Sequence, residues 1–257
     1  MAKKFYVVWQ GRETGIFTDW TTCKKQIDRF AGAKYKSFPS QAEAEAAFSG
    51  NSLAVSSTPS KSAAPKKKSS AQVVKTYTAA EIATMKINTK IYTDGGCEPN
   101  PGEAGSGIAV YRDDVIDELW YGLYNANGTN NTAELNALNQ ALIMANTEVE
   151  KGASVAIFCD SKYSIQCVTQ WAVGWQKKGW KKSGGEIKNL ELIKAMFALH
   201  QELKSEIQVL HVNGHVGVEG NELADRMSIL AIESRETEFT RFQEEVDIEV
   251  ILATRAG

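Results

Sequence analysis

The chain has only four cysteines, Cys23, Cys97, Cys159 and Cys167, and none stands in a CxxC pair. Scattered thiols, partly inside segments that read as buried strand or helix, argue against a zinc site or a disulfide framework and fit a reducing compartment. No apolar run approaches the roughly eighteen residues of a membrane-spanning helix, and the opening MAKKFYVVWQ lacks the long apolar stretch of a secretory leader. The expectation is a cytoplasmic protein with no membrane partner. Net charge is nearly absent at −2, and 43% hydrophobic with 23% charged residues is ordinary for a soluble globular chain, so composition names no activity. No internal repeat is visible in the 257 residues, a length that allows one or two domains.

The quiet average hides two opposite ends. Lys61, Lys66, Lys67, Lys68, Lys75 and Lys86 form a basic arm, whereas Glu233, Glu236, Glu238, Glu244, Glu245, Asp247 and Glu249 crowd the last segment. Residues 49–75 are rich in Ser, Ala, Lys and Pro and carry no helical or strand period, which reads as a linker. The expected organisation is a small module at 1–48, a flexible linker over 49–85, a larger domain at 86–232 and an acidic extension of unassigned role at 233–257. In the module, KFYVVWQG and TGIFTDW read as strands, CKKQIDRF and SQAEAEAAF as short helices. Beyond the linker, KINTKIYTD, GSGIAVYRD and ELWYGLYNA read as consecutive strands, the last two as antiparallel neighbours. The period then changes: Leu135, Leu138, Leu142 and Met144 lie close to one helical stripe, and the strands ASVAIFCD and IQVLHVN alternate with further helices. The class is α/β, one mixed five-stranded sheet flanked by helices, preceded by a small α/β module.

Asp94 ends the strand KIYT and Asp160 ends VAIFC, so parallel pairing of those strands makes the two acids neighbours. Glu134 is expected in the first turn of the helix after the third strand, and Asp225 in the first turns of the last helix. Each acid taken singly also suits a helix N-terminus or a turn. Gathered in one poorly solvated cleft, four carboxylates repel and raise one another's pKa unless a cation neutralises them. An all-oxygen set without cysteine or paired histidine suits a hard divalent ion, most simply magnesium. Two such ions flanking a phosphodiester activate a water on one side and stabilise the leaving oxygen on the other. The loop IYTDGGCEPNPGEAGSG carries five glycines and two prolines but lacks the GK[ST] ending of a Walker motif, which excludes that nucleotide-binding reading. Its glycines either bring a polymer backbone close to the acid or simply form a hairpin.

TDGGCEPNPGEAGSG, TNNTAEL, CDSKY and HVNGHVGVEGNELAD, in that order and spacing, resemble the signature segments of type 1 ribonucleases H over roughly residues 86 to 232. The resemblance implies the ribonuclease H fold and endonucleolytic cleavage of the RNA strand of an RNA/DNA hybrid, giving 5'-phosphate and 3'-hydroxyl ends. It implies Asp94, Glu134, Asp160 and Asp225 as ligands of two Mg2+ ions, with Mn2+ as a possible substitute, and His215 as a mobile-loop histidine that assists proton transfer or product departure. Asn100, Asn130 and Asn131 would reach minor-groove sugar and base edges, where the 2'-hydroxyl separates RNA from DNA. Thr129 and Asn189 match positions that grip a phosphate of the DNA strand, while Thr132 stands where many relatives carry Arg.

WAVGWQKKGWKKSGGEIKN resembles the family's basic protrusion, in which Lys177, Lys178, Lys181 and Lys182 interleave with Trp175 and Trp180 as a DNA contact. Trp171 is expected to pack in the core. FYVVWQGRETGIFTDWTTCKKQIDRFAGAKYKSF resembles the hybrid-binding domain found ahead of many type 1 ribonucleases H, with Tyr6, Trp20, Tyr35 and Lys36 facing the hybrid and Ser37 where a second basic residue is common. The chain is expected to act as a monomer.

Overall fold

The computed structural model describes residues 4–28, 30, 33–48, 74–214 and 217–257. The chain divides into two compact units, residues 1–69 and 70–257. Most of the expected linker, residues 49–73, lies outside the described residues.

In the first unit, β1 (Phe5–Gln10), β2 (Gly15–Phe17) and β3 (Lys34–Phe38) form an antiparallel sheet in the order β2-β1-β3. KYKSF, exposed at four of its five residues, carries no strand signal of its own, and pairing with β1 makes it a strand. The helices are α1 (Trp20–Ile27) and α2 (Gln41–Phe48). Asp19 caps α1 by accepting from the Thr22 N–H at 2.8 Å, a standard remedy for the unpaired amides of a first turn. Val7 and Val8 are both fully buried although they point to opposite faces of β1. Helices on both sides explain this: Gly11 lies between the Val8 side chain and the Gln26 carbonyl of α1, and the Trp9 indole donates to Ala47 O of α2 at 3.1 Å.

The second unit opens with β4 (Thr76–Tyr77) and α3 (Ala79–Ala83), inside the expected linker. A capping box closes α3: Glu81 N donates to the Thr78 hydroxyl and Thr78 N to the Glu81 carboxylate. Next come β5 (Thr89–Glu98), β6 (Gly102–Arg112), β7 (Val115–Gly128), α4 (Asn130–Glu150) and β8 (Val155–Cys159). Then α5 (Lys162–Gln166), a π-helical turn at Cys167–Trp171, α6 (Ala172–Lys177), α7 (Leu190–Leu203), β9 (Ile207–Val212) and α8 (Glu219–Ser234) follow. The segment ends with β10 (Thr240–Arg241) and α9 (Ile248–Leu252).

The sheet order is β10-β7-β6-β5-β8-β9-β4. The five long strands are those expected, and a two-residue strand adds to each edge. Hairpins make β5, β6 and β7 antiparallel, whereas helical crossovers make β5, β8 and β9 parallel. One face packs under α4 and α7 through Leu135, Leu138, Leu142, Ile193 and Met196, all fully buried. Each such side chain contributes about 1.5–3 kcal/mol on burial. The other face packs under α3, α8 and α9 through Tyr92, Phe158, Leu223 and Ile251.

Two segments that the sequence leaves open take definite form. The glycine-rich stretch after Asp94 is largely strand: β5 runs on to Glu98 and pairs with β6 from Thr89↔Arg112 to Glu98↔Glu103, leaving only the Pro99–Pro101 turn outside. The acidic extension, left unassigned from its charge, docks on the sheet. Phe239 stacks on Trp120 with centroids 5.5 Å apart, β10 pairs with β7, and Ile251 is buried.

Candidate active site

The register β5/β8 pairs Thr93 with Cys159, so Asp94 and Asp160 emerge side by side from parallel neighbours. Glu134 and Asp225 arrive from helices on opposite faces of the sheet, and glycine permits both approaches. A Cβ on Gly95 would lie 2.2 Å from the Glu134 backbone nitrogen. Without a side chain there, α4 settles directly onto β5. Gly107 plays the same part for α8, touching the backbone around Ala224 and so bringing Asp225 inward. Glu134 is in the second turn of α4 rather than the first, because the helix begins earlier, at Asn130.

Asp94, Glu134 and Asp225 are buried and Asp160 is half-buried. Burial first, then the charges of Asp160 and Asp225, raises the Asp94 carboxyl well above the usual range. Burial followed by Asp94 and Asp160 does the same to Glu134, opposed by the Asn130 amide, which donates to Glu134 Oε1 at 3.4 Å. The acids thus form one electrostatic group. Asp225 is contacted by the Arg226 guanidinium and by the Gly257 N–H, at 3.1 and 3.2 Å from its two oxygens.

A divalent cation fits this donor set. Glu134 Oε2 is buried and has no hydrogen-bond partner among the described residues. Single ligand atoms of Glu134, Cys159 and Asp160 lie within 4.8 Å of one another. Burial, then Glu134 and Asp160, pushes the Cys159 thiol well up, so it stays protonated and leaves the carboxylate oxygens as donors. These are the ligands of a hard ion.

Around the acids, Asn100 accepts from Asn130 N at 3.3 Å, which ties the β5–β6 turn to the start of α4 beside exposed Asn131. Thr129 caps α4, and its hydroxyl lies 2.8 Å from that of Thr132, which donates to Asn189 Oδ1 at 3.3 Å. Thr132, noted from the sequence only as a missing arginine, therefore bridges the two expected phosphate-gripping residues. Asn189 sits at φ 55°, a left-handed conformation that Asn tolerates, immediately before α7.

His215 lies outside the described residues. Trp171, expected in the core, is instead at the surface, and Trp175 and Trp180 are half-buried. Trp171 is 36% exposed, whereas Trp175 and Trp180 pack against the core, Trp180 edge-on to Phe197 at 5.9 Å. A π turn precedes α6, where the Ala172 N–H reaches Cys167 O, five residues back, and Trp171 and Trp175 still meet with centroids 5.9 Å apart. Lys177, Lys178, Lys181 and Lys182 remain exposed.

In the N-terminal unit, Tyr6, Trp20 and Tyr35 form one aromatic cluster, with centroids 5.4 Å apart for Tyr6–Trp20 and 5.9 Å for Trp20–Tyr35. Trp20 and Tyr35 are 44% and 47% exposed. Lys36 is not part of it. Strand alternation turns its side chain to the other face, over the Phe38 ring.

One residue escaped the sequence reading. His211, buried on β9, places Nε2 3.0 Å from the Asp160 carbonyl oxygen and Nδ1 2.8 Å from the Thr76 hydroxyl. Burial first, then Lys162, holds its pKa below the ordinary histidine range, against the pull of the Asp160 carbonyl. It opens the HVNGHVGVEGNELAD segment, but its role is not legible there because its partners lie 51 and 135 residues away.

The family model described as "RNase H" matches residues 86–233, and the one described as "Ribonuclease H1 N-terminal domain" matches residues 4–48. Ribonuclease H1 of Mus musculus is 31% identical over 255 residues, covering 87% of each chain. Ribonuclease H of Acidovorax sp. (strain JS42) is 38% identical over 144 residues, covering 56% of this chain and 93% of its own. The crystal structure of LC9-RNase H1, at 22% identity and a TM-score of 0.51, covers 65% of this chain and 81% of that one, and shares the fold. A mixed sheet that gathers four acids between two helices is the arrangement of the ribonuclease H class of nucleases, which are typically metal-dependent. The chain belongs to the ribonuclease H family, as a ribonuclease H1 with an N-terminal hybrid-binding domain, an endoribonuclease that cleaves the RNA strand of RNA/DNA hybrids.

Proposed function

We propose that hydrolysis occurs at Asp94, Glu134, Asp160 and Asp225, which hold two Mg2+ ions, and yields 5'-phosphate and 3'-hydroxyl ends. The observation that carries this reading is the buried Glu134 Oε2 without a hydrogen-bond partner among the described residues, in a group of acids that raise one another's pKa. Bound cations supply the activated water and the stabilisation of the leaving oxygen. The protein's own residues do the rest. Asp94 and Asp160, on adjacent parallel strands, form the floor of the site, and Glu134 and Asp225 close it from the helices. Asn100, Asn130 and Asn131 face the minor groove, where amide groups pair with 2'-hydroxyls and base edges. Thr129, Thr132 and Asn189 bind a phosphate of the DNA strand. The exposed lysines of 177–182 add salt-dependent affinity. Tyr6, Trp20 and Tyr35 hold the hybrid through stacking on the DNA strand, and tethering raises residence on long substrates. His215 assists proton transfer or product departure.

The test is cleavage of matched RNA/DNA, RNA/RNA and DNA/DNA duplexes with Mg2+ and with chelator, with end-group analysis of the products. Cutting of the RNA strand of the hybrid alone, dependent on Mg2+, is expected. Equal cutting of all three, or cutting in chelator, contradicts the reading.

A further inference from the structure

The β8/β9 ladder ends at Cys159↔His211, one residue before Asp160. At that point the His211 side chain places Nε2 3.0 Å from the Asp160 carbonyl oxygen. A carbonyl only accepts, so Nε2 carries the hydrogen and, in the neutral ring, Nδ1 is bare. The Thr76 hydroxyl, 2.8 Å away, is the donor that Nδ1 then requires. Both partners select the same tautomer.

Thr76 precedes the 86–233 stretch matched by the family model, within the 49–85 segment expected as linker. It is nonetheless anchored: β4 pairs in parallel with β9 through Thr76↔His211 and Tyr77↔Val212, Tyr77 packs on the core, and the buried Lys90 ammonium donates to Ile82 O of α3 at 3.2 Å.

We infer that Thr76 and His211 are positioning residues for Asp160: the Thr76 hydroxyl orients the imidazole, and the imidazole clamps the Asp160 peptide so that its carboxylate points into the metal site. The short segment before the catalytic sheet is thereby part of the active-site support. This rests on Asp160 being a metal ligand as proposed above.

The test uses the full chain. Mn2+ alone is titrated by electron paramagnetic resonance, the imidazole tautomer is read from ring 15N–1H correlations, and hybrid affinity is measured in chelator. In His211→Gln the amide Nε2 can still donate to the carbonyl, while His211→Leu removes the donor and keeps the bulk. Orienting partners of ligands carry effects of 10- to 100-fold. His211→Leu is expected to weaken Mn2+ binding about tenfold, with hybrid affinity in chelator unchanged, and His211→Gln to restore most of it. Thr76→Val is expected to weaken Mn2+ binding in the same direction and Thr76→Ser to match the parent, whose ring shows the Nε2–H form. Should His211→Leu not fold, the Thr76 pair decides alone. Parent-like Mn2+ affinity in folded His211→Leu and Thr76→Val, equal losses in the Leu and Gln variants, or an Nδ1–H ring would overturn the inference. Failure of the underlying reading shows separately, as undiminished Mn2+ binding in Asp160→Asn.

Discussion

A Cβ on Gly107 would lie 2.1 Å from the Ala224 carbonyl oxygen, so strand β6 and helix α8 meet backbone to backbone one residue before Asp225. With Gly95 against Glu134, two glycines set the depth of the site from both faces of the sheet. Gly107→Ala is expected to push α8 outward. The obstacle is main chain, which cannot swing aside as a flexible side chain can, so a loss of about 1–3 kcal/mol is expected in denaturant unfolding. Displacing an acid by about 1 Å lowers turnover on the order of a hundredfold. Parent-like kinetics in a folded Gly107→Ala would contradict this account.

Asp94→Asn is expected to abolish measurable turnover while keeping hybrid affinity. In chelator the same variant is expected to unfold at a higher temperature than the parent. The Asp94 carboxyl is raised by burial and by Asp160 and Asp225, so replacing its charged form with a neutral isostere relieves repulsion. Thermal scans with and without Mg2+ check the sign: the advantage should shrink when the metal is added.

Glu148 is a different kind of buried acid. Hydrogen bonds from Arg112, at 2.9 Å, hold its pKa down to about 2, with Lys151 and Thr89 adding contacts. A depressed folded pKa contributes stability above the unfolded value, near 4.5, and loses it as pH falls toward about 2. The shift corresponds to about 3 kcal/mol at one unit per 1.36 kcal/mol, reduced to about 2 kcal/mol because Arg112 is a third exposed. Urea midpoints should therefore fall between pH 5 and pH 2 more steeply in the parent than in Glu148→Gln.

Trp20→Ala in the N-terminal unit is expected to weaken binding to long hybrids by about 1–3 kcal/mol, the range of one aromatic stacking contact. Trp20 is 44% exposed, so the unit keeps its fold, and turnover on a saturating short hybrid should stay at the parent level. Unchanged affinity would remove the aromatic cluster from the interface.

Phe239→Ala is expected to loosen the acidic segment from β7. The ring stacks on Trp120 at an interplanar angle of 14°, and its loss removes one of the apolar anchors beside the two-residue strand β10. Proteolysis between residues 235 and 247 should accelerate before the rest of the unit unfolds.

Much was legible because it is local. The apolar runs of β1 and β6, the leucine stripe of α4 and four ordered motifs state element types and the four acids without any coordinates. Where reading along the chain failed, the deciding partner was remote. KYKSF becomes a strand only against β1, the 167–171 segment leaves the α-helical period through a π turn, and the last segment docks by stacking Phe239 on Trp120, 119 residues away in number.

The amino-acid order alone thus determined the kinds of elements, the acids at strand ends and helix starts, and the family whose motifs they form, since each depends on residues within one or two turns. The tertiary structure decided how deep the acids lie, which aromatics stay exposed and that Thr76, His211 and Asp160 join in one chain of hydrogen bonds. Those outcomes depend on backbone approaches and pairings between segments far apart in sequence, and a pattern read along one strand of text contains no distance across the sheet.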